Sequence, residues 1–239
     1  MGAQSCALFF KMGRKILVII KAGRWIRNVF IGLMLFVVVQ IPTLADGYWG
    51  WWGETQSNIT VWKHWVSFLA LSVAVWIILF MTYRKVTSSY KLFYELKSSM
   101  IVQAIVVAVA VVSFEMLISL IFSTSAESEN YEIIHLIHSP LGMLTLICSN
   151  VVSPILEELL FRGIIQGVLR EALPGVLAIM LTNLLFAFGH GYQIESALGM
   201  FVVGCGFSWL LIKTKNLSMP MLSHMTVNWL VTIINLMFI

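Results

Sequence analysis

Long apolar runs broken by short polar interruptions set the pattern of the chain. At 1.5 Å per residue, a helix of ~20 residues crosses a hydrocarbon core of ~30 Å. The runs predict seven spans: about 29–44 with Pro42 near its end, 65–83, 101–122, 141–161, one ending near His190, 197–212 and 217–239. Residues 8–27 break the pattern, because basic and apolar clusters alternate there with six cations. Such a stretch fits a helix lying on an anionic cytoplasmic surface better than a spanning one. The expected architecture is therefore all-α: a basic amphipathic segment over 1–28, then one polytopic transmembrane domain over 29–239. Pro174 can open the fifth span, after the turn Ala172–Leu173.

Composition agrees with the pattern. The chain is 59% apolar and 11% charged with mean hydropathy +0.92, whereas soluble domains carry roughly a quarter charged residues. The net charge of +4 calls for no nucleic-acid partner, since membrane proteins collect Lys and Arg in cytoplasmic loops. With the N-terminus inside, seven spans put fourteen of the fifteen cations on the cytoplasmic side, leaving only Lys63 outside. Asp46, Glu54, Glu127, Glu129, Glu132 and Glu195 fall outside with it, and the C-terminus would too. The expected location is a multi-pass integral membrane protein, in the plasma membrane of a bacterial host, with the lipid bilayer as its first partner. The Trp-rich segment 48–52 has the aromatic content of an interfacial belt. Cys6, Cys148 and Cys205 are too scattered for a zinc motif or a disulfide framework. Cys6 stands where a myristoylation signal needs Ser or Thr, and Lys11, Arg14 and Lys15 interrupt any signal-peptide core.

The stretch 151–163, VVSPILEELLFRG, places Glu157, Glu158 and Arg162 in a run otherwise as apolar as lipid. Ionisable groups at that depth cost several kcal/mol and mark functional sites. Glu158 and Arg162 are four apart on one helix face and can pair. Glu157, turned about 100° away, is left over for chemistry. FAFGH places Phe186 and His190 four apart, and HMTVN does the same for His224 and Asn228. Counted from Leu173, Glu157 lies 16 residues before the turn and His190 lies 17 after it. Both then sit ~25 Å from the turn, at one level. His224 and Asn228 come ~13 and ~20 Å beyond Lys215, so spans four, five and seven can close a site below the membrane surface.

A carboxylate flanked by histidines can take a proton from water, and an Asn amide can donate to a developing oxyanion. That is apparatus for hydrolysis at an amide carbonyl. Glu157, His190 and His224 are equally a ligand set for Zn²⁺ or another divalent metal, with Glu158 then cast as general base. That casting would take Glu158 from Arg162, and Asn228 suits an oxyanion donor better than zinc, so the expectation is a site without a cofactor. HExxH is absent, and no serine sits in a nucleophile elbow. Taken singly, a buried histidine is most often a hydrogen-bonded helix contact, and Glu115 most often a packing acid. A small transporter with Glu115 and Glu157 as proton carriers would need repeats or broken helix pairs that the chain lacks.

Together, EExxxR, FxxxH and HxxxN in this order resemble the motifs of the CAAX protease and bacteriocin-processing (CPBP) family of intramembrane endopeptidases, also labelled Abi or type II CAAX prenyl endopeptidases. Glu157, Glu158 and Arg162 match the first motif, Phe186 and His190 the second, His224 and Asn228 the third. The resemblance covers about residues 141–239, and relatives are usually given eight spans rather than seven. It implies a helical membrane bundle with a buried cavity that cleaves membrane-associated peptides or lipidated proteins. Glu157 with His190 would activate the water, and His224 with Asn228 would stabilise the oxyanion. Glu158, Arg162 and Phe186 would support them. Bacterial members are also implicated in bacteriocin immunity and peptide export, so a non-catalytic immunity or scaffold protein on the same fold is the alternative.

Overall fold

A computed structural model describes residues 2–42, 58–87, 90–92, 96–122, 137–190 and 194–238. The Trp-rich segment 48–52 and the acids Asp46, Glu54, Glu127, Glu129 and Glu132 lie outside the described residues. Seven helical stretches carry the fold: α1 (Gly2–Val39), α2 (Asn58–Val86), α3 (Ser98–Phe122), α4 (Gly142–Arg170), α5 (Gly175–Gly189), α6 (Ile194–Thr214) and α7 (Ser218–Phe238). The described residues contain no strand, only one isolated bridge between Lys91 and Asn216. The all-α membrane bundle is thus the observed class.

Five helices are long and apolar enough to cross a membrane: Lys21–Val39, Val61–Val86, Ser98–Ile118, Gly142–Arg170 and Ala197–Thr214. The fifth expected span is the shorter apolar helix α5, of 15 residues. At that length it rises about 22 Å and stops short of a core of about 30 Å. His190 caps its C-terminal end. At the other end of the chain, α1 runs unbroken past residues 28 and 29, so no helix boundary marks the start of the first span.

The centre of the bundle is α4. It packs against α1 and α2 on one side and α5 and α7 on the other, while α3 lies across α6 and α7. From Glu158 to Leu169 every residue of α4 is buried. An apolar helix in lipid gains nothing from hiding Leu, so such burial reflects close packing with neighbours. Glycines make the approach close: a Cβ at Gly206 of α6 would stand 2.9 Å from Val111 of α3.

Two π-helical segments, Cys148–Val152 and Leu159–Ile165, widen α4. The first ends just ahead of Pro154, whose missing N–H breaks the regular bonding ladder. Within the second, the Gly163 carbonyl accepts a bond from Thr87 Oγ1 at 2.8 Å. Trp25 Nε1 likewise donates to the Val168 carbonyl at 2.9 Å. The first bond ties the end of α2 to the irregular ladder of α4 and the second ties α1 to the regular turn after it, and π-turns of this kind recur at functional sites.

Arg162 corrects one sequence expectation. With span four expected over 141–161, Arg162 counts among the cytoplasmic cations, but it is 0% exposed and α4 continues to Arg170. The periodicity was right; an inward-facing arginine simply looks, in sequence, like an interfacial one. It is therefore not a loop cation, and the cytoplasmic tally loses it.

Candidate active site

Glu157 and Glu158 are neighbours on α4 with opposite surroundings. Glu158 is 0% exposed, and its Oε1 accepts from Arg162 Nη1 at 2.8 Å and lies 3.0 Å from His224 Nδ1. Arg162 is equally buried, its Nη2 donating to Asn183 Oδ1 and the Gly204 carbonyl, each at 3.1 Å. Its guanidinium carbon also sits 4.4 Å from the Phe186 ring centroid and 5.3 Å from that of Phe207. Breaking such a pair would leave a naked charge in a dry interior, so the geometry has every reason to persist.

Glu157 keeps an 18% exposed side chain, with Oε2 3.7 Å from His190 Nε2. That exceeds hydrogen-bond length. His190 caps α5, and its Nδ1 lies 2.8 Å from the Phe186 carbonyl. A carbonyl only accepts, so Nδ1 donates to it, and Nε2 is the ring atom turned toward Glu157. Glu157 Oε2 itself is closed off from solvent and accepts no hydrogen bond among the described residues.

Phe186 holds the two halves together. Its ring meets His190 at 4.7 Å, His224 at 5.8 Å and Phe161 at 5.1 Å between centroids, each near edge-to-face. Phe207 stacks on His224 at 4.8 Å and 26°. Asn228, one turn beyond His224, donates Nδ2–H to the Ser149 carbonyl at 2.8 Å. One amide proton remains for another acceptor.

The structure brings Glu157 to His190, Glu158 to Arg162 and His224, and Phe186 between the histidines. It sets Asn228 against α4 at Ser149. Sequence reasoning missed two features: Glu158 is shared with His224, and Gln166, Asn183 and Ser208 form a buried polar row behind Arg162. A signal for the row existed, since each is a polar residue inside an apolar run. Among the described residues, no three His, Cys, Asp or Glu side chains converge as a metal-binding group.

Comparison with known proteins sharpens the assignment. Residues 139–230 match the family described as type II CAAX prenyl endopeptidase, Rce1-like. A putative membrane peptidase of Bacillus subtilis (strain 168), YdiL, is 31% identical over 116 residues, covering 48% of this chain and 47% of that protein. The membrane-embedded CAAX protease MroQ of Staphylococcus aureus (strain USA300) is 32% identical over 94 residues, 37% of this chain and 38% of that protein. The chain thus spans less than half the length of these relatives. No solved structure matches.

Proposed function

Because its residues 139–230 match the type II CAAX prenyl endopeptidase, Rce1-like family, we propose that this membrane protein is an intramembrane endopeptidase. Its substrates are membrane-associated peptides or lipidated proteins. The observation that carries the reading is the opposed pair, Glu157 Oε2 and His190 Nε2, 3.7 Å apart. A water admitted beside this pair would give one hydrogen bond to Glu157 Oε2 and one to a neutral His190 Nε2, which turns its lone pairs outward. Glu157 takes the proton as the oxygen attacks a carbonyl carbon. His190 holds the water's second hydrogen and fixes its aim.

His224 and Asn228 face the developing oxyanion. With Glu158 an anion shared with Arg162, His224 Nδ1 is the donor to it, so Nε2 donates only in the imidazolium form. An imidazolium serves the oxyanion and then supplies a proton to the leaving amine. In this reading water activation needs no bound ion, since Asn228 suits an oxyanion donor better than a metal ligand. An immunity or scaffold protein would have no use for two opposed acceptors.

The charge distribution supports a cytoplasmic N-terminus and, in a bacterial host, plasma-membrane residence. A Glu129→Cys variant should label with an impermeant thiol reagent in intact cells; labelling only after permeabilisation would invert the topology. The activity is tested by comparative peptidomics of cells carrying wild type or Glu157→Gln. Membrane-derived fragments should vanish with Glu157→Gln. Identical peptide sets would refute a protease.

A further inference from the structure

Gln166, Asn183 and Ser208, all 0% exposed, are fully buried polar side chains in mutual contact that take no part in water activation. Their donor and acceptor capacities leave one arrangement. Arginine only donates, so Arg162 Nη2 at 3.1 Å fixes the amide oxygen of Asn183 toward itself. The amide nitrogen then faces α6, donating to Ser208 Oγ at 3.0 Å and to Cys205 Sγ at 3.6 Å. Having accepted there, Ser208 has its single proton for Gln166 Oε1, at 2.7 Å. In the other direction, Arg162 Nη1 donates to Glu158 Oε1, which also receives His224 Nδ1. The row joins α4, α5, α6 and α7 through side chains, with Arg162 donating toward both of its ends.

We infer that Asn183 and Ser208 are positioning residues that set the rotation of Arg162 and, through Glu158, the protonation site of His224. The rings of Phe186 and Phe207 contact the guanidinium but accept no hydrogen bond along its edge. Its orientation is therefore set by oxygen acceptors: Gly204 and Asn183 at Nη2, Glu158 at Nη1. Without Asn183 Oδ1, the Nη2 edge keeps the Gly204 carbonyl alone and the plane can turn. Glu158 then follows Nη1, and its hold on His224 Nδ1 loosens. Ser208 acts one step back, by keeping the Asn183 amide from turning. The consequence for turnover rests on the proposed role of His224; the effect on its ring does not.

The experiment is nitrogen-15 NMR of histidine-labelled protein in lipid nanodiscs. The His224 signals are assigned by their loss in His224→Gln. Wild type should show His224 with a protonated, hydrogen-bonded Nδ1. Asn183→Ala should move that signal toward a weaker Nδ1–H hydrogen bond, Ser208→Ala should move it less, and Ser208→Thr, which keeps the hydroxyl, should restore it. Peptides that differ between wild-type and Glu157→Gln cells provide a turnover probe. On these, Asn183→Ala should lower kcat about tenfold, as a misplaced catalytic group does, with KM nearly unchanged. A His224 spectrum unmoved in both Asn183→Ala and Ser208→Ala would overturn the inference. If Asn183→Ala does not fold, Ser208→Ala with its Ser208→Thr rescue decides. Wild type that cleaves nothing would instead overturn the protease reading, and the spectra would still judge the positioning row.

Discussion

Two adjacent carboxylates divide the site into unlike halves. Glu158 is sealed, doubly bonded and tied to a histidine at 3.0 Å; Glu157 is partly exposed and faces a histidine at 3.7 Å without a direct hydrogen bond. One helical step of about 100° makes this difference. The buried pair spends its interactions on holding α4 and α7 in register. The looser pair keeps its lone pairs for a water. Preorganisation and reactivity are therefore carried by neighbours in sequence, and each can be tested without the other.

The largest expected effect is on the sealed half. Arg162→Met should cost about 3–5 kcal/mol of stability, the usual result of stranding one partner of a buried ion pair. Adding Glu158→Gln to it should recover much of that loss. Melting curves of the two variants in detergent check the order, and a double variant no more stable than Arg162→Met would deny the pairing.

The spacing that defines this pair was legible in the sequence, and so was the common level of Glu157 and His190, counted from a turn at Leu173. Helix existence followed from apolar run length alone. What could not be read was azimuth. Spacing places His224 on α7 but does not say which glutamate its ring meets, and it cannot distinguish an interior Arg162 from an interfacial one. The short α5 read as a full span because apolar composition does not report where a helix stops relative to the bilayer. Asn183, Ser208 and Gln166 each look like tolerable polar residues until packing shows them in one row.

A smaller effect belongs to the backbone beside Arg162. A Cβ at Gly204 would stand 2.6 Å from Asn183 Oδ1 and 3.1 Å from Arg162 Nη2. Gly204→Ala should destabilise by about 1–3 kcal/mol, as overpacking does. Thermal melting should show it falling between Arg162→Met and the next variant. Thr87→Val, which removes only the hydroxyl donated to Gly163, should cost about 1 kcal/mol and leave turnover intact.

The smallest expected change is none. Exhaustive chelation should leave peptide turnover unaffected, and elemental analysis of purified protein should find no stoichiometric metal. One zinc per chain, with activity lost on its removal and regained on its return, would recast Glu157 and His190 as ligands.

The division of labour between the two glutamates is tested most directly by measuring melting temperature and peptide turnover side by side for Glu157→Gln and Glu158→Gln. Glu157→Gln should melt like wild type and lose turnover by about 10²–10⁴-fold, the span of a general base. Glu158→Gln should melt markedly lower, because it strands Arg162. A Glu157→Gln protein that still cleaves at near wild-type rate, or a Glu158→Gln protein as stable as wild type, would contradict the account.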